Sequence, residues 1–459
     1  MRSLHAPAAL LPDGWQSGVA LAIGDDGRIE RVERRAAAVG DERLAGPVIP
    51  AMPNVHSHAF QRAIAGRTGW PSPAHDDTFW TWRQAMYAAV DRLDADAFEA
   101  IACQAYVEMA KAGYAAVAEF HYVHHDPHGK PYSDPAELAW RIVSAAKTAG
   151  VALTLLPVFY AHGNFGGVAT TPLQRRFVHS TYTFERLFDT LARKAGEEGY
   201  ALGMAPHSLR AVTPEELDKI LRPATPQTPI HIHAAEQTRE VDDCHAWSGM
   251  RPVEWLLEHA HVDARWCLVH ATHMTEREVA ALAASGAVAG LCPSTEADLG
   301  DGIFSAEKYL AAGGAFGIGT DSNTLIDPFA EVRQLEWSQR LRVRRRNVLA
   351  GEPGRPVGAA LWAAGAAGGA QAIARPTGTI AAGRRADLIV LDVDDPALAE
   401  QPLVNVLDAA IFGPARKPVR DVLCGGRFIV REGRHAREQD VLRRYRAALA
   451  RIDPGTAPN

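Results

Sequence analysis

Eight apolar, β-branched runs alternate with helix-like segments through the middle of this 459-residue chain. The runs fall at 47–50, 115–120, 151–159, 201–205, 229–233, 266–270, 287–292 and 315–320. Segments 95–112, 135–149, 183–198, 214–221, 252–258 and 275–284 between them read as helices. Several open on a capping residue followed by acids, as in Thr213-Pro-Glu-Glu216 and Thr275-Glu-Arg-Glu278. Buried strands alternating with helices predict an α/β fold with a parallel sheet, and eight is the number that closes a (β/α)8 barrel of TIM type. An open doubly wound sheet is the alternative on this pattern.

The two ends have a different texture. Gly18–Ile23 is a short apolar run, 24–27 is a Gly-Asp-Asp-Gly turn, and 28–32 alternates polar with apolar. Short strands broken by glycine turns return at 383–392, 419–424 and 427–431. This predicts a small β-sandwich built from both termini, 1–48 with 375–459, beside a barrel over 49–374. The tail after Asp440 reads as an Arg-rich, solvated helix with a loose Pro/Gly end. Hydrophobic residues are 47% of the chain, which excludes disorder. The formal charge of −6 (48 basic, 54 acidic residues) argues against nucleic acid as partner, since phosphate binding needs a basic face. No run of about 18 apolar residues occurs, so no membrane span is expected. The N-terminus lacks a secretory signal, and five scattered cysteines read as reduced thiols, both of which point to the cytoplasm.

Polar residues at the C-terminal ends of barrel strands are informative, because that is where barrel active sites form. Strand one ends in Asn54-Val-His56-Ser-His58, and residues two apart in a strand share a face, so both imidazoles can reach one ion. Strand five ends in His231-Ile-His233-Ala-Ala-Glu236, strand six in His270, and strand eight in Gly319-Thr-Asp321-Ser-Asn323. Alone, an HxH pair is more simply two hydrogen-bonded histidines. Metal-type or proton-transfer side chains at four strand ends make accident a poor explanation. Imidazoles with a carboxylate suit Zn²⁺, or Fe²⁺ on the same geometry. His231 sits farther from the strand end and reads as structural. The crowded histidines of 121–128 lack a distant further ligand and read as solvated or hydrogen-bonded. Cys292 has no nucleophile's partners and reads as a small core residue. Asp387 and Asp392 belong to the C-terminal strand pattern.

The set His56-x-His58, His233-x-x-Glu236, His270 and Asp321 resembles the amidohydrolase superfamily, and the likeness spans the whole chain, β-rich ends included. That resemblance implies one divalent metal, most simply Zn²⁺, held by His56, His58, His233 and Asp321. The strand-four window Tyr200–His207 has no lysine for the carboxylated bridge of binuclear members. It also implies deamination at an amidine-like carbon by activated water, with Glu236 moving the proton and His270 and Asp321 holding the water. The segments 55–66, 78–83, 119–124, 231–237, 268–273 and 319–323 together are similar to the formimidoylglutamate deiminase family. This narrower resemblance implies a small dicarboxylate substrate, N-formimino-L-glutamate, and a homodimer. Carboxylates call for guanidinium forks, and by resemblance Arg83 and Arg210 clamp them, with Gln61, Tyr122 and His207 as further substrate contacts. The competing expectations are a superfamily deaminase for a nucleobase, nucleoside or triazine, and a catalytically dead barrel that binds. The Trp70–Trp82 segment reads as either a lid or a subunit contact.

Overall fold

A computed structural model describes residues 2–69, 77–351, 354–413 and 418–452. Eight parallel strands form the barrel: Met52–Ser57, Tyr114–His121, Ala152–Phe159, the split pair Ala201–Leu202 and Ala205–Pro206, Ile230–Ala234, Trp266–His270, Val288–Leu291 and Ala315–Ile318. Their order runs fourth, third, second, first, eighth, seventh, sixth, fifth. Parallel bridges Met204↔Ile230 and Ser208↔His233 join fourth to fifth and close the ring. The open-sheet alternative is thereby excluded. The strands are buried along nearly their whole length, as continuous Val/Ile/Leu/Ala runs require when helices cover the outside.

The helices stop where their sequences tell them to. Ala95–Ala112 starts on Asp94, whose carboxylate accepts from the Ala97 amide, and ends at Gly113 in the left-handed region. Val357–Ala372 is different: it is mostly Ala and Gly, carries no polar stripe, and was not among the expected helices. It lies so close to the eighth strand that a Cβ on Gly368 would stand 2.0 Å from the Phe316 carbonyl oxygen. Its glycines serve that approach at a cost in helix propensity.

Residues from both ends meet in one nine-stranded sheet, with Val48–Pro50 paired to Leu388–Leu391 and to Arg2–Leu11. It is a single continuous sheet with its own core of Leu4, Val19, Leu21, Ile29, Val390 and Leu423. The 47–50 run, expected as the barrel's first apolar strand, belongs to this sheet. The chain crosses over at Ala51, whose amide bonds the Asp387 carbonyl, while Met52 bonds that of Gly113. Pro50 and Pro53 flank the switch, and the barrel's first strand is the run that carries the histidines.

Candidate active site

The strand ends converge as their sequence positions require. His56 and His58 leave the first strand on one face, and the Nε2 atoms of these two lie 3.1 Å apart. His233 Nε2 is 3.0 Å from His56 Nε2. Asp321 Oδ1 stands 3.4 Å from His56 Nε2 and 3.3 Å from His58 Nε2. The far nitrogens explain which way the lone pairs point. His58 Nδ1 is 3.0 Å from the Phe120 carbonyl, and His233 Nδ1 is 3.0 Å from that of His207. Carbonyls only accept, so both Nδ1 atoms carry the proton and both Nε2 lone pairs face inward.

Burial holds these imidazoles neutral: it drives His56 down to about 3, with the charge of His58 adding to the effect, and it lowers His58 and His233 too. Burial opposes charge on Asp321 as well, but hydrogen bonding to His56 and the surrounding imidazoles, the raised His270 among them, outweigh it and keep the carboxyl well below its usual range. The two inward lone pairs of His58 and His233, the His56 ring nitrogen and a carboxylate oxygen all lie within 4.8 Å of one another, an arrangement that a cation among them would satisfy. Nitrogen spacings near 3 Å are what metal–nitrogen bonds of about 2.1 Å give at right angles. The donor set fits a divalent metal.

The backbone is strained around this point. Ala235, His270, Ala271, Asp321 and Asn323 all have φ between 43° and 69°. Such residues cost about 1–3 kcal/mol each and gather at functional sites. The Asp321 turn is tied down by Asp321 N→His56 O at 2.9 Å and His58 N→Asp321 O at 2.9 Å. Gly319 permits the contact, since a Cβ there would lie 2.9 Å from the His56 Cβ.

Beside the donors lies a cavity. Every expected substrate contact (Gln61, Arg83, Tyr122, His207 and Arg210) faces it, together with His58, His233, Glu236, His270 and Asp321. Burial raises Glu236 to about 7, against the pull of His270 and Arg210. His270 Nε2 lies 3.6 Å from Glu236 Oε1 and 3.7 Å from Asp321 Oδ2, and its Nδ1 is 3.3 Å from Glu296 Oε1. Burial alone would lower His270, yet these carboxylates raise it well above the usual imidazole range. Arg210 is 7% exposed, with Nη2 3.9 Å from Glu240 and 4.0 Å from Glu236, and its Nε has no partner among the described residues. Gln61 Nε2 donates to Tyr122 Oη at 3.0 Å, leaving the Gln61 carbonyl oxygen buried and unpartnered. Arg83 comes from helix Phe79–Val90, started by a Thr78/Thr81 capping box.

Several residues lie outside this constellation. His231 Nε2 donates to the Ala372 carbonyl oxygen, 2.7 Å away. His121, His124 and His179, all buried, form a separate cluster with the half-buried His125, and His124 and His125 donate to the Val158 and Val178 carbonyls. Cys292 is fully buried under His270 and Asp321; burial and its acidic neighbours push the thiol well up. Of the Trp70–Trp82 segment, 70–76 lies outside the described residues. Sequence reasoning missed Glu240 and Glu296. Glu240 lies in the first turn of helix Thr238–Ser248, where its carboxylate accepts from the Ala235 and Glu236 amides, and an acid at a helix start was the available signal.

A sequence profile of the amidohydrolase family matches residues 48–429. A second, described as "Formimidoylglutamate deiminase HutF, N-terminal domain", matches residues 1–46. A formimidoylglutamate deiminase of Pseudomonas aeruginosa is 51% identical over 98% of this chain and 100% of its own length. A 5-methylthioadenosine/S-adenosylhomocysteine deaminase of Natronomonas pharaonis is 28% identical over 93% of this chain and 89% of its own. The crystal structure of an amidohydrolase from Brucella melitensis superposes with a TM-score of 0.94 at 48% identity, covering 98% of this chain and 100% of that one. An adenosine deaminase from Xanthomonas campestris with bound zinc shares the fold, with a TM-score of 0.81 at 21% identity over 99% and 98% of the two chains. With one profile over residues 48–429, a second over 1–46 and a half-identical relative matched from end to end, the chain belongs to the amidohydrolase family, among the formimidoylglutamate deiminases.

Proposed function

We propose that the chain hydrolyses N-formimino-L-glutamate to N-formyl-L-glutamate and ammonia, as the name of its 51%-identical relative suggests. The observation that carries this reading is a buried arginine, Arg210, opening with Arg83 into the same cavity as Glu236 and the histidine–aspartate cluster. A pocket for a flat neutral base has little use for two guanidinium groups, whereas a dicarboxylate needs both.

His56, His58, His233 and Asp321 would hold one divalent ion, Zn²⁺ by ligand chemistry with Fe²⁺ also suited, and when bound it supplies the Lewis acidity that makes water a nucleophile near neutral pH. Arg83 and Arg210 bind the two carboxylates, and His207 and Tyr122 add hydrogen bonds. The buried Gln61 carbonyl oxygen accepts from the cationic formimino group. With its carboxyl raised to about 7, Glu236 is poised to take a proton from the attacking water and deliver it to nitrogen. His270, held between Glu236, Glu296 and Asp321, orients and polarises that water. A C–O bond forms at the formimino carbon, and the water's protons pass to nitrogen. The C–N bond then breaks to release ammonia as the carbonyl closes.

The reading includes a homodimer in the cytoplasm with neither nucleic acid nor membrane as partner; among the described residues no helix is long and apolar enough to cross a membrane. Steady-state ammonia release from N-formimino-L-glutamate, measured against a panel of nucleobases, nucleosides and triazines, tests the substrate. Preferred turnover of a heterocycle would overturn it. Metal analysis of the same preparation should find about one ion per chain.

A further inference from the structure

A third guanidinium, that of Arg239, shares an indole ring with the two arginines that line the cavity. Trp80 lies in the first turn of the Phe79–Val90 helix. The guanidinium carbon of Arg83 is 4.4 Å from its ring centroid, that of Arg239 4.8 Å, and that of Arg210 6.0 Å. Three like charges around one ring repel, and relief is slight. Arg239 approaches Asp243 only to 3.9 Å, Arg210 reaches Glu240 at the same distance, and Arg83 faces the rings of Phe79, Trp80 and Tyr87. Indole presents the most attractive aromatic face to a cation. Trp80 therefore joins two helices through their arginines: its own, and Thr238–Ser248, which starts two residues after Glu236.

We propose that Trp80 is a positioning residue that steadies Arg83 over the cavity and draws Arg239 to its mouth, so that Arg239 acts as a third, specificity-determining cation favouring dianions over monoanions. The inference rests on the dicarboxylate reading above. Coulomb attraction adds over the carboxylates, the formimino head being common to both substrates, so a cation that tightens binding about two- to threefold for one carboxylate tightens it by the square, about four- to ninefold, for two. Arg239 is exposed, so the effect is screened by salt.

The test compares KM and kcat of the metal-loaded enzyme for N-formimino-L-glutamate and for the formimino derivative of 4-aminobutyrate, which lacks the α-carboxylate. Arg239→Gln should raise KM about four- to ninefold for the first and two- to threefold for the second, with kcat within about twofold, and should flatten the rise of KM with salt. Trp80→Ala should raise KM for the dianion about tenfold, and Trp80→Phe should restore most of it. Unchanged KM values in Arg239→Gln, or equal increases for both substrates, overturn the inference while leaving the wild-type activity in place. A wild-type enzyme inactive on both compounds overturns the dicarboxylate reading and this inference with it. Because Arg239 is a surface residue, the result stands whether or not Trp80→Ala folds.

Discussion

Replacing Glu236 with glutamine changes little volume and removes a single proton-accepting site, so it isolates proton transfer from packing. Glu236 lies 3.6 Å from His270 Nε2 and 4.0 Å from Arg210 Nη2, and it is not among the four donors that converge on one point. The variant should therefore keep its metal, about one ion per chain by elemental analysis. Its kcat should fall about 10²–10⁴-fold, the span a positioned general acid–base supplies, or roughly 3–6 kcal/mol at about 1.4 kcal/mol per decade. The pH profile gives a second readout. Burial raises the carboxyl to about 7. Above that pH it is ionised and can accept the water's proton; below it, kcat/KM should fall about tenfold per unit as the base is protonated. A cation bound by the neighbouring histidines pulls this limb to lower pH and never to higher. In Glu236→Gln the limb should vanish. An unaltered kcat, or a limb that persists in the variant, would refute the assignment; loss of the metal would show that Glu236 supports the cation instead.

Three other perturbations probe separate parts of the molecule. Arg210→Lys keeps a buried cation beside Glu240 but loses the fork, so KM for the dicarboxylate should rise about tenfold or more, one lost charge-assisted hydrogen bond, while the melting temperature moves little; equal KM values would remove Arg210 from the clamp. Burial holds His121 and His179 at about 3 in the fold, against about 6.5 unfolded, so below pH 6.5 the unfolded chain takes up protons that the fold refuses. Their stability contribution is intact above pH 6.5 and is lost as pH falls toward 3, about 2 kcal/mol each by pH 5. In urea titrations between pH 7.5 and 5, His179→Asn should show a dependence about 2 kcal/mol shallower than wild type, and parallel curves would refute the linkage. Gly368→Ala would set a Cβ 2.0 Å from the Phe316 carbonyl oxygen and should cost about 1–3 kcal/mol or more, read as a lowered melting temperature; an unchanged value would mean the helix can move off the barrel at no cost.

The fold was legible where the pattern is local. Helix Ala95–Ala112 carries both its caps, and strand Trp266–His270 its apolar run, within a few residues of sequence. The failures have a common physical cause. The 47–50 run is apolar and buried in either sheet, and only its pairing with Leu388–Leu391, more than three hundred residues away, decides which one it joins. Helix Val357–Ala372 has no amphipathic stripe because the barrel covers it closely enough to exclude side chains at Gly368, so periodicity has nothing to report.

The candidate site divides in the same way. An HxH at a strand end advertises itself, because spacing alone puts both imidazoles on one face. Which nitrogen of each ring is free is set elsewhere, by the carbonyls of Phe120 and His207 on the second strand and just beyond the fourth. Glu296 reaches His270 from a helix that follows the seventh strand, and in the sequence it is one acid among 54 acidic residues. The same holds for charge. A chain with a net charge of −6 gives no hint of three guanidinium groups around one indole, because the sum is taken over the whole surface and the field that a substrate meets is local. Residues that do chemistry by their own type are visible in sequence. Residues that act by fixing the proton, angle or charge of another are visible only once distant strand ends are brought together.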